Sequence, residues 1–398
     1  MPHHDPAIFH KLYGIRTRRI VYYKKDFLDY FLMIVLSMLA VSSSYGFHHV
    51  IAIVGLALGG FMLVMFAIRH GVEFKTPVLL RRPQEVLYMF AYKVQNLRSV
   101  YFIALGVLLL ENFLIAATPN LPHHVALMRK IAFTLFYTHL IAISAYRTII
   151  LFAHLAKKEM VREILRQTPW QRVIKEETNI SLEILHAYCT GLLTHIILIA
   201  PWYMVIAYSS FSVVFLPVVC LVNIVVHLKW FKIFNAWFYR DHWLGHNSEF
   251  EFIFLHGTHH DAIPSGLIAV AENGFLEGFL RFTIGGFPTA FYNPIISFMA
   301  YTIAIKADID LHQYIPGVFP RIPRRVIETY QHSTHHYGVL EPYSLGGRAD
   351  PSRKRSTGIA AKLVSDEDTI ELDEELTGFK WDNPIYRRIL SLYDKYHN

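Results

Sequence analysis

The chain has 398 residues, 53% of them hydrophobic, 15% aromatic and only 17% charged, with a mean hydropathy of +0.31. These proportions exclude an ordinary soluble domain, which carries more charge and interrupts its apolar runs sooner; several runs here approach the ~20 residues that cross a bilayer. The net charge of +7 asks for no nucleic acid, because basic residues at cytoplasmic membrane borders give the same balance.

Residues 1–26 form a polar arm carrying Lys11, Arg16, Arg18, Arg19, Lys24 and Lys25, unlike a secretory leader. Residues 27–230 read as a transmembrane helical region of about six spans, near 27–45, 48–68, 100–118, 131–155, 186–208 and 211–230. The turns within each hairpin are poor in Lys and Arg, with Arg129 and Lys130 the exception. The long connecting segments are rich in them: Arg69, Lys75, Arg81 and Arg82, then Lys157, Lys158, Arg162 and Arg166. The positive-inside rule makes that basic side cytoplasmic. Residues 157–185 are expected to lie along the membrane surface as an amphipathic connector, with Trp170 as interfacial anchor. Cys189 and Cys220, the only cysteines, sit in apolar runs and read as small buried hydrophobes.

Residues 231–345 carry three histidine boxes: His242-Trp-Leu-Gly-His246, His256-Gly-Thr-His259-His260 and His332-Ser-Thr-His335-His336. Residues at i, i+3 and i+4 share one helix face, so each box can aim two or three imidazoles at one point. Were 242–260 one straight helix, its ends would lie about 27 Å apart, too far for a shared centre. A break is therefore expected near Gly245–Asn247, with Ser248 and Glu251 as a capping box that restarts the helix. A further apolar stretch, 284–305, contains Gly285-Gly286, Pro288 and Pro294. It is expected to dip into the membrane and return, keeping the third box on the side of the first two.

Imidazole suits Fe, Cu, Ni or Zn. A structural zinc site usually recruits cysteine, and none is near the boxes. Eight boxed histidines and the lone His312 suffice for two ions with room for an oxygen species, which favours redox-active iron, with a zinc hydrolase as rival. Asp241, Glu249, Asp261, Glu272, Asp308 and Asp310 are candidates to orient imidazoles from behind. His186, His195 and His227 read as interior histidines of the spans rather than ligands. Residues 346–398 form a polar tail: a basic linker, an acidic run at 366–375 and a short amphipathic helix.

The box pattern resembles the fatty acid hydroxylase/sterol desaturase superfamily of integral membrane enzymes: His-x3-His, then His-x-x-His-His, a single histidine shortly before a proline (His312, Pro316), and a second His-x-x-His-His. The resemblance covers roughly 220–345. It departs from the family after the third box, where Tyr337-Gly338 follows directly, and in the number of upstream spans. It implies that His242, His246, His256, His259, His260, His312, His332, His335 and His336 bind two iron ions, with O2 as co-substrate.

The fold expected is an all-α polytopic membrane protein with a cytosol-facing, histidine-rich helical cap, in a bacterial inner membrane or the endoplasmic reticulum. The activity expected is monooxygenation of a membrane lipid: a fatty acyl chain, sterol or related lipid. No nucleotide-binding fingerprint is present, so electrons are expected from a cytochrome b5- or ferredoxin-like carrier with its NAD(P)H reductase. Desaturation by the same centre is the near alternative. A histidine-rich metal transporter is the remote one, since transport wants ionisable ligands inside the spans.

Overall fold

The computed structural model describes residues 26–81, 98–117, 121–159, 179–208, 249–257 and 275–280. It also describes positions 83, 161, 162, 221, 225, 241, 242, 245, 259, 302 and 305. Every regular element among them is helical. Four helices are long and apolar enough to cross a membrane, within Phe27–Tyr45, Val50–His70, Ala126–Ala156 and Ile180–Met204. The sixth expected span, 211–230, lies outside the described residues except for Leu221 and Val225, both helical.

Helix α1 (Phe27–Tyr45) starts on Asp26, whose carboxylate accepts the Asp29 N–H at 2.9 Å. This is the N-cap bond that relieves an orphan donor of the first turn. It ends at Gly46, whose φ of 77° is open to glycine at no steric cost, and the Gly46 N–H donates to Ser42 O at 2.9 Å. Helix α2 (Val50–His70) begins four residues beyond, with His49 Nδ1 accepting the Ile51 N–H at 3.3 Å. The two helices pack through small residues: a Cβ on Gly55 would meet Val41 at 2.9 Å, and one on Gly59 would meet Met38 at 2.8 Å. Close backbone approach of this kind is how apolar helices associate where no hydrophobic effect separates them.

After α2, residues 71–77 lead to a single turn, α3 (Val78–Arg81). The buried carboxylate of Asp29 accepts the Val78 N–H at 2.9 Å and ties this turn to the start of α1. Helix α4 spans Arg98–Ala117. Helix α5 runs Leu121–Ala156, ten residues earlier than hydropathy suggests, because Pro122 falls in its first turn, where a missing N–H costs nothing. Helix α6 (Ile180–Tyr208) also starts six residues early, with Asn179 accepting the Leu182 N–H at 3.3 Å.

Helix α6 is the hub. It is mostly apolar, with Glu183, His186, Thr190, Thr194 and His195 buried among its apolar residues, and 78% of its most apolar window is buried, against 33–50% for the other three spans. It packs on α1, α2 and α5. Arg69 at the end of α2 donates to Glu183 at the start of α6 (Nε–Oε1 2.8 Å, Nη2–Oε2 2.5 Å) and lies 3.1 Å from His186 Nδ1. At the other end of α1, the Tyr45 hydroxyl donates to Ile196 O at 2.7 Å. So α1 and α6 run parallel, with residue 45 level with residue 196. The outward faces of α1, α2 and α5 carry exposed Phe31, Leu39, Ile53, Val54, Val64, Ile68, Ile141, Ile149 and Phe152, a surface suited to lipid rather than water.

Candidate metal centre

Two short elements bring the first two histidine boxes to the bundle. Helix α7 (Glu249–Glu251) continues without interruption into a π-helical turn, Phe252–His256, whose wide i→i+5 pitch is closed by the Gly257 N–H on Phe252 O. Such turns are rare and recur at functional sites. A Cβ on Gly257 would collide with the Phe252 carbonyl oxygen and sit 2.8 Å from its ring. The glycine that follows the first histidine of box two is thus required by the π turn itself. Helix α8 (Phe275–Leu280) packs against α6, α1 and the π turn, while α7 touches α3.

Within this frame His242, His256 and His259 come together. The His242 and His256 rings lie 4.5 Å apart between centroids and the His256 and His259 rings 5.4 Å apart. Fourteen residues of straight helix would separate His242 from His256 by ~21 Å, so the chain doubles back between the two boxes. Gly245 is where they touch: a Cβ there would stand 2.9 Å from the His256 Cβ. The three imidazoles are 2–3% exposed, and three carboxylates, Asp241, Glu251 and Glu277, are as deeply buried. One of these reaches a ring directly: His256 Nδ1 lies 3.2 Å from Glu277 Oε2.

The residues that lead into His256, Phe252, Ile253, Phe254 and Leu255, are all 0–1% exposed. Helix α8 does not sit at the end of α6. A Cβ on Gly278 would contact Leu198 at 3.6 Å and Thr194 at 3.7 Å, fourteen or more residues from the α6 start and level with Ile196. The Glu277–His256 pair is therefore held against the flank of the bundle.

His246, His260, His312, His332, His335 and His336 lie outside the described residues, as do Ser248, Asp261, Glu272, Asp308 and Asp310. So do the 284–305 stretch apart from Thr302 and Ile305, the arm 1–25 and the tail 346–398. Among the described residues, no group of three His, Cys, Asp or Glu side chains is gathered closely enough to hold a metal ion. Glu251, expected to reach back to a helix cap, is 1% exposed. Glu277 carried no signal from box spacing; its one mark in the sequence is a lone carboxylate in the apolar run Phe275-Leu-Glu-Gly-Phe-Leu280.

A second polar cluster lies between α5 and α6. His139, Arg147 and His154 are buried on one face of α5, within an arc of about 80° by helical periodicity. His139 stacks near His195, ring centroids 5.3 Å apart, and its Nδ1 lies 3.1 Å from Thr302 Oγ1. His154 Nδ1 bonds its own helix at Ile150 O, 2.7 Å away. His186 and His195 are thus both engaged inside the bundle, while His227 lies outside the described residues. Compared with known proteins, the chain matches no family model, no curated protein and no solved structure.

Proposed function

We propose that the chain is a membrane-bound, O2-dependent di-iron oxidase that hydroxylates a lipid. The observation that carries this reading is the meeting of box one with box two: His242 and His256, fourteen positions apart, have ring centroids 4.5 Å apart. Two imidazoles on one ion, with nitrogens ~2.1 Å from it, have centroids roughly 4.5–5.2 Å apart for ligand angles of 90–109°. The 4.5 Å between His242 and His256 falls in that window, and the 5.4 Å between His256 and His259 lies just beyond it.

Charge supports the same reading. Asp241, Glu251 and Glu277 are 1–2% exposed, and Glu277 meets His256 directly; buried carboxylates call for positive charge nearby. Neutral imidazole donors backed by carboxylates suit iron, with His246, His260, His312, His332, His335 and His336 completing the ligand set. When bound, a pair of irons supplies the reduction of O2 and the breaking of a C–H bond, with two electrons from an external cytochrome b5- or ferredoxin-like carrier.

The chain's own residues do the rest. Phe252–Leu255, which lead into His256, are 0–1% exposed, so that charge on this turn is felt at low dielectric. The apolar outer faces of α1, α2 and α5 suit lipid, the source from which an acyl chain or sterol would come. Arg69 and Arg81, at the ends of α2 and α3, and Lys75 between them mark the cytoplasmic side by charge.

The test pairs metal analysis with lipid analysis. Purified protein should carry iron, His259→Ala should lose iron and turnover together, and host lipids should gain one oxygen only when the intact gene is present. A loss of two hydrogens instead would move the reaction to desaturation. Full activity in the His259→Ala variant would sink the catalytic assignment.

A further inference from the structure

Glu277 stands apart from the other acidic groups near the boxes. It comes from a different element, twenty-one positions beyond His256, yet its Oε2 meets His256 Nδ1 at 3.2 Å with both side chains 2% exposed. Its helix packs on α6 and α1 as well as on the π turn, with Gly278 in ordinary contact distance of Leu198 and Thr194. The π turn that carries His256 is itself fixed by Gly257. The ring is therefore held from two sides, by its own backbone and by a carboxylate that the membrane bundle positions.

A neutral imidazole has one N–H and one lone pair, and the hydrogen bond made by one nitrogen decides what the other can do. A carboxylate accepts only, so Nδ1 carries the proton in this pair and Nε2 carries the lone pair. We infer that Glu277 is the positioning residue for His256: it accepts the Nδ1–H, fixes the ring's tautomer and orientation, and makes Nε2 the ligating nitrogen. This rests on the metal-centre reading above. Because α8 is packed on α6 and α1, the same contact couples the centre's geometry to the packing of the spans beside it.

The experiment uses the full chain purified in detergent and stripped of metal, with cobalt(II) as probe, read by titration and visible absorption. Wild type, His256→Ala, Glu277→Leu and Glu277→Gln are compared. Glu277→Leu should bind cobalt(II) about 10–100-fold more weakly than wild type, the usual range for losing an outer partner, with shifted absorption bands. Glu277→Gln, whose amide oxygen still accepts from Nδ1–H, should recover most of that loss and the wild-type band positions. Should Glu277→Leu aggregate, Glu277→Ala takes its place in the same comparison.

Wild-type affinity and spectrum in both Glu277 variants would overturn the positioning role while leaving the metal centre standing. Equal, severe losses in both, with the bands of a site missing one oxygen ligand, would make Glu277 a ligand and overturn it too. If wild type binds neither cobalt(II) nor iron(II), the metal-centre reading itself fails, an outcome separable from the other two.

Discussion

Replacing Gly245 by alanine puts the meeting of the first two boxes to a direct test. The new methyl carbon would stand 2.9 Å from His256 Cβ, 3.1 Å from Cγ and 3.4 Å from Cδ2. Carbon atoms rest at about 3.5–4.0 Å, so the two segments must part by roughly 0.6–1 Å. His256 cannot give way easily, since the π turn holds its backbone and Glu277 holds its ring. Overpacking of this kind costs about 1–3 kcal/mol, and the gain of alanine over glycine in a helix returns about 1 kcal/mol. Net stability should thus fall by no more than about 2 kcal/mol. Function should suffer more, because a displacement near 1 Å can cost about 100-fold in rate. Thermal unfolding in detergent, iron content and lipid turnover measured on one preparation separate the two effects. A Gly245→Ala protein with wild-type iron and wild-type turnover would show that the boxes do not share a centre, whatever its stability.

Other outcomes follow from the same contacts. Gly257→Ala should break the π turn by clashing with the Phe252 carbonyl, and iron content should drop at least as far as in Gly245→Ala; normal loading would mean the π turn is dispensable. Arg69→Met should destabilise the bundle by about 2–3 kcal/mol, below the range for a fully buried pair because Arg69 and Glu183 are 12% and 9% exposed. A cycle with Glu183→Gln checks that the loss belongs to the pair, and additivity of the two changes would say it does not. His49 titrates below its ordinary value, first because it is partly buried and then because His48 lies beside it. Its folded pKa being depressed, its contribution is present above ~6.5, the ordinary histidine value. That contribution is lost as pH falls below this value, when a proton on Nδ1 displaces the Ile51 cap bond. A His49→Asn variant, whose side chain caps at every pH, should flatten that part of the stability–pH curve; an unchanged slope would assign it to other groups.

Much of the membrane region was legible from hydropathy alone. The 27–45 span coincides with α1, and the Ser-Tyr-Gly-Phe turn is where Gly46 closes it. Helix starts were less legible: α5 and α6 begin earlier than their apolar runs, because helical hydrogen bonding continues into polar turns that hydropathy discounts. The box spacing showed which residues can share a helix face, and a straight-helix argument required a break between boxes one and two; the His242–His256 contact rules out one straight helix across them.

Tertiary structure decided what no spacing encodes. Glu277 and His256 are separated by a stretch that follows no period, and their meeting depends on α8 docking against α6 and α1. The π turn at Phe252–His256 and the burial of Glu251 likewise come from packing, since the same residues satisfy an ordinary helical pattern in one dimension. Local periodicity is a property of neighbours a few positions apart and is written in the chain. The choice of which face meets which depends on volumes and charges brought together from distant segments, and only the folded bundle makes that choice.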